Sequence, residues 1–95
     1  MAKTVPIPKL PFETFFTYQQ VTDFLQALAA ARPDLCRLNS LGSSREGREV
    51  HLLTVTELAS GAPEDKPGYL IHGNIHAAEL SGTHAVLYTA RQLLA

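Results

Sequence analysis

Apolar positions recur first at helical spacing. Val21, Phe24, Leu25, Leu28 and Ala29 fall at i, i+3, i+4, i+7 and i+8, one stripe down one face of a helix. Thr17-Tyr18-Gln19-Gln20 in front of them fits a capping box, in which the hydroxyl takes an orphan amide and the Gln reaches back. Pro33 closes the segment, so the pattern predicts a helix over 17–32. Leu35 to Ser43 alternates loosely, and Val50 to Thr56 is rich in apolar and β-branched residues. The short polar link Ser43-Ser44-Arg45-Glu46-Gly47 makes these two an antiparallel hairpin, with a bulge expected at Gly47. Tyr69-Leu70-Ile71, an apolar run bounded by glycines, reads as a strand covered on both faces. From Leu80 onward, apolar residues occupy most of a helix circumference, which predicts a helix buried nearly all round.

Residues 1–16 are extended and Pro-punctuated. Pro6, Pro8 and Pro11 each disfavour helix at the residue before them, and Phe12, Phe15 and Phe16 suggest an arm laid on a surface. No uninterrupted apolar segment follows Met1, as a secretory signal requires. The last helix reaches Leu93-Leu94-Ala95 without a Gly cap, and a doubly covered strand and a wrapped helix need neighbours on two sides. These features lead to the expectation of a truncated α/β chain, residues 17–95 being part of a larger domain, in preference to a small domain that dimerises through its last helix.

Composition narrows the function classes. The chain has 95 residues, 45% hydrophobic and 18% charged, and a formal net charge of −1. That balance argues against non-specific binding to nucleic acid or anionic membrane, which needs a basic surface. No run approaches the ~20 apolar residues of a membrane span. A lone Cys36 forms no internal disulfide, so a reducing, cytoplasmic setting is expected.

The chemistry concentrates in Ile71-His72-Gly73-Asn74-Ile75-His76-Ala77-Ala78-Glu79-Leu80-Ser81-Gly82, which leaves a strand and enters a helix. On a helical turn, His76 and Glu79 share one side, and imidazole and carboxylate together suit Zn²⁺. The spacing by itself is unspecific; its place between strand and helix strengthens it. A catalytic zinc uses three protein ligands. His72 is a weaker candidate for the third, better suited to an outer role, so that ligand is expected beyond Ala95. His51 and His84 read as structural, and Cys36 as packed. Gly42 and Gly47 have the spacing of a phosphate loop, but Arg48 and Glu49 stand where Lys and Ser/Thr belong and a strand follows. This segment is either a solvated hairpin turn or a place from which Arg48 meets a substrate group. No G-x-S-x-G elbow supports Ser43, Ser44 or Ser81 as a nucleophile.

Together, Leu41-Gly42-Ser43-Ser44-Arg45-Glu46-Gly47-Arg48-Glu49-Val50 and His72-Gly73-Asn74-Ile75-His76-Ala77-Ala78-Glu79 resemble the zinc carboxypeptidase family, the carboxypeptidase A-like metallopeptidases. There a G-x-S-x-E-G-R segment leads into a strand and an H-G-x-x-H-x-x-E segment opens a helix some twenty-odd residues later. Arg45 departs from the pattern, where an aromatic is common. The resemblance implies the N-terminal portion of a mixed-sheet α/β/α zinc-exopeptidase fold, with one zinc held by His76 and Glu79. It implies a substrate-binding role for Arg48, and a peptide with a free C-terminal carboxylate as substrate. The family's general base and remaining site residues match nothing in this chain, which is expected to be inactive alone. Two alternatives stand beside it: an aspartoacylase or succinylglutamate desuccinylase-like zinc amidohydrolase, and a non-catalytic α/β interaction module.

Overall fold

In a computed structural model describing residues 6–9 and 13–95, two helices pack with one antiparallel hairpin. Met1, Pro11 and Phe12 of the expected arm lie outside the described residues. Helix α1 spans Tyr18–Ala31 and begins as its sequence dictates. Gln20 N–H donates to Thr17 Oγ1 at 3.2 Å and Thr17 N–H donates to Gln20 Oε1 at 2.8 Å, satisfying two orphan amides reciprocally. The helix stops at Arg32, whose N–H still reaches Leu28 O before Pro33 forbids continuation.

Strands β1 (Cys36–Ser43) and β2 (Glu49–Val55) pair with Cys36 opposite Val55, Leu38 opposite Leu53 and Ser40 opposite His51. Gly47 N–H donates to Ser44 O at 3.0 Å and Gly47 itself has φ +79°, a tight turn closed by a left-handed glycine. The register slips between Ser40 and Ser43, beside Gly42 at φ +136°, and so ahead of the turn that holds Gly47. Past β2, Lys66 Nζ donates to Thr56 Oγ1, Glu57 O and Ser60 Oγ, tying two single-turn 3₁₀ helices to the end of the strand.

Helix α2 spans Leu80–Leu94. The core forms where its Leu87 and Leu94 meet Phe24, Leu25 and Leu28 of α1 and Cys36 at the head of β1. Leu28 is fully buried. Arg32 Nε donates to Leu94 O at 3.2 Å and joins the two helix ends. Burial pushes the Cys36 thiol above its ordinary value, with the Asp34 carboxylate adding to the shift, so it packs instead of reacting. His51 stacks on Tyr18 and lies 2.9 Å from Thr22 Oγ1; His84 stacks on Phe16 and lies 2.7 Å from Thr14 O.

The α/β class, the hairpin and both helices agree with the sequence pattern, and two expectations about burial need correction. Tyr69, Leu70 and Ile71 form no strand and pair with none among the described residues, and Tyr69 is 92% exposed. Helix α2 buries one side only, leaving Tyr88 and Leu93 more than half exposed. Between β2, residues 67–73 and α2 lies an open cleft of about 940 Å³, and Tyr69, Leu70, Ile71 and Leu93 are among its walls. Among the described residues, no helix is long and apolar enough to cross a membrane.

Replacing Leu28 with Ala removes the central contact of both helices and is expected to cost about 2–5 kcal/mol. Urea titration followed by circular dichroism measures it; a cost below about 1 kcal/mol would place the core elsewhere.

Candidate metal centre

The segment 72–79 is shaped by a close approach of two backbones. A Cβ at Gly73 would lie 2.5 Å from Gly82 O, and a Cβ at Gly82 would lie 2.7 Å from Asn74 N. Neither distance is tolerable, so both residues must lack a side chain. The contact seats the chain leaving residue 71 on the first turn of α2. Asn74 then turns the backbone with φ +63°, a left-handed conformation that Asn adopts more readily than most residues.

From that turn the chain folds back once before the helix begins. Glu79 N–H donates to His76 O at 3.0 Å, and Gly82 N–H donates to Glu79 O at 3.0 Å. His76 and Glu79 are thus brought together by a four-residue turn, not by the helical turn expected from their spacing, because α2 starts only at Leu80. Glu79 occupies the N-cap position but makes no side-chain cap bond. Its carboxylate faces the imidazole instead: Nδ1 of His76 lies 3.3 Å from Oε1 of Glu79. Both side chains are mostly exposed, at 78% and 58%. As a solvent-screened ion pair this contact is worth at most about 1 kcal/mol.

As a chelate the same separation is apt. Two donors bound to one zinc at about 2.0–2.1 Å with tetrahedral geometry stand about 3.3–3.4 Å apart. The ring nitrogen and the carboxylate oxygen are therefore already at ligand spacing and open to solvent, so the donor chemistry and geometry both fit zinc.

The other candidates are placed elsewhere. No group of three or more His, Cys, Asp or Glu capable of holding a metal occurs among the described residues, so His72 does not complete the pair. His72 is exposed and lines the cleft beside β2. Arg48 sits at the hairpin, 3.3 Å from Glu46 and 5.6 Å over the ring of Tyr18, which hydrogen-bonds Glu49 O. Its backbone also bonds Ser44 in both directions across the turn. Asn74, Gly82 and Thr83 also shape the site, though the sequence pattern alone did not single them out. An Asn after Gly in a strand-to-helix loop is a signal for a left-handed turn, whereas the Gly73–Gly82 contact joins positions nine apart that no local pattern links.

Comparison with known proteins yields one family. The zinc carboxypeptidase family matches residues 21–95. Among similar curated proteins, carboxypeptidase B of Astacus astacus is 31% identical over 85 residues, covering 90% of this chain and 27% of its own length. Metallocarboxypeptidase A of Trichophyton tonsurans is 32% identical over 83 residues, covering 87% of this chain and 19% of its own. An inactive metallocarboxypeptidase of Ajellomyces dermatitidis is 31% identical, again over 87% of this chain and 14% of its own length. The chain thus spans between about one seventh and just over a quarter of these relatives.

Substituting Ala at Gly73 or at Gly82 is expected to destabilise the protein by about 1–3 kcal/mol, the usual range for overpacking. Gly82 is the sharper case, since Ala in a helix is otherwise favoured by about 1 kcal/mol. A Gly82→Ala protein more stable than wild type to urea would disprove the close approach.

Proposed function

The chain belongs to the zinc carboxypeptidase family, and from that premise we propose that His76 and Glu79 are two protein ligands of a single zinc ion in a metallocarboxypeptidase. The observation that carries this reading is the 3.3 Å between His76 Nδ1 and Glu79 Oε1, which is the span of two ligands on one tetrahedral ion. Residues 17–95 form, in this proposal, the opening part of the catalytic domain. Two ligands are one short of a catalytic zinc site, so these residues act together with a further ligand that the described residues do not supply.

The reaction proposed is hydrolysis of the C-terminal peptide bond of a substrate with a free carboxylate. Zinc, when bound, supplies Lewis-acid polarisation of a carbonyl and acidification of water. The task of His76 and Glu79 is to hold the ion at an exposed turn where a substrate can reach it. Glu79 spends its lone pairs on that task and is not the base of the reaction. Arg48 carries a planar fork of donors suited to carbonyl or carboxylate oxygens. It is the substrate-binding residue in this proposal, supported by the Glu46-Gly47-Arg48 run that matches the family motif. To serve, its guanidinium must leave Glu46, an exposed pair that costs little to break. That a relative is named inactive makes activity a matter for direct assay.

His76→Ala and Glu79→Gln are each expected to weaken zinc binding by more than the ~10–100-fold that loss of an outer partner costs. Competition against a chromophoric chelator measures this. Unaltered zinc affinity in either variant would remove that residue from the ligand set. Release of amino acids from peptides, against release from N-acyl amino acids, tests the substrate class.

A further inference from the structure

We propose that Asn74 is a positioning residue for the metal centre, acting through its side-chain amide to hold the His76 backbone against helix α2. The inference rests on the reading of His76 and Glu79 as zinc ligands.

The amide of Asn74 is engaged on both sides. Its Nδ2 donates to His76 O at 2.9 Å and lies 3.4 Å from Ala77 O, and its Oδ1 accepts from Thr83 Oγ1 at 2.6 Å. The orientation of the amide follows from the partners: carbonyl oxygens only accept, so the nitrogen must face His76 and Ala77. One side chain therefore bridges the ligand turn and the first turn of the helix. His76 O is also the acceptor for Glu79 N–H, so the amide grips the atom that closes the turn between the two ligands.

This arrangement answers a weakness of the site. Both ligand side chains are mostly exposed, at a position where packing constrains them little. An exposed turn of four residues samples several geometries unless its backbone is restrained. The Gly73–Gly82 contact fixes where the turn starts, and the Asn74 bridge to Thr83 fixes how it is directed. Together they hold the chelating span before any ion arrives, which reduces the ordering cost of binding.

A simpler role for Asn74 is to tolerate φ +63°. Glycine tolerates it better, and this separates the two explanations. Asn74→Gly keeps the backbone conformation and removes the bridge. Thr83→Val removes the hydroxyl donor at nearly constant shape, and Thr83→Ser restores it. Each is to be measured for Zn²⁺ affinity by chelator competition, and in metal-free protein for hydrogen exchange of the Glu79 amide.

The bridge predicts about tenfold weaker zinc binding in Asn74→Gly and Thr83→Val, the low end for an outer partner. Thr83→Ser is expected within about twofold of wild type on the same scale, and Glu79 exchange should be faster in the first two variants only. Wild-type zinc affinity in Asn74→Gly overturns the positioning role, as does equal loss in Thr83→Val and Thr83→Ser. If His76→Ala abolishes binding while Asn74→Gly does not alter it, the ligand reading stands and this inference alone falls. Unchanged binding in His76→Ala takes down both.

Discussion

Where Gly73 faces Gly82, the backbone leaving the sheet side of the molecule touches the backbone of a helix, with no room for even one methyl group between them. Such an approach is available only to glycine, and it governs the path of the loop beyond it. It seats the start of that loop against the first turn of α2, the left-handed bend at Asn74 follows it, and five residues, 75–79, return the chain to the helix. His76 and Glu79 are the first and last residues of the four-residue turn that completes this return. Their proximity is thus a consequence of backbone contact some distance from either side chain, and the helix contributes an anchor without forming the turn itself.

The energetics of the pair point the same way. An exposed imidazole and an exposed carboxylate 3.3 Å apart contribute little to folding, since water and salt screen them. The stabilising contacts of the fold are Phe24, Leu25, Leu28, Cys36, Leu87 and Leu94, in a core of their own. A geometry maintained where stability gains little is what a preorganised ligand site requires. A large cleft lies between β2, Tyr69–Ile71 and α2, and Leu70, Ile71 and Leu93, whose pattern anticipates burial on a second side, are among its walls.

Local rules made much of this legible. The Thr17–Gln20 capping box and the stop at Pro33 are short-range interactions, complete within a few residues, and each forms as written, whereas the bulge expected at Gly47 falls instead between Ser40 and Ser43. Burial is a different matter. The apolar run Tyr69–Ile71 and the broad apolar circumference of α2 record an affinity for neighbours, and pattern cannot say whether those neighbours lie within the same 95 residues. Within the described residues they do not, so Tyr69 and Leu93 face solvent. At the candidate site, the His-x-x-Glu spacing marks the residues correctly as neighbours but for the wrong backbone reason, a single turn in place of a helix. Asn74, with its two-sided amide, gives no signal of its role in the sequence, because its partners lie two and nine residues away and only the folded loop unites them.

Whether His76 and Glu79 share one ion can be seen by anomalous diffraction at the zinc absorption edge, from crystals of the protein grown with Zn²⁺. A single strong peak is expected about 2.1 Å from both His76 Nδ1 and a carboxylate oxygen of Glu79. A peak on His72 or His51, or one that touches His76 while Glu79 points away, would contradict a shared ion.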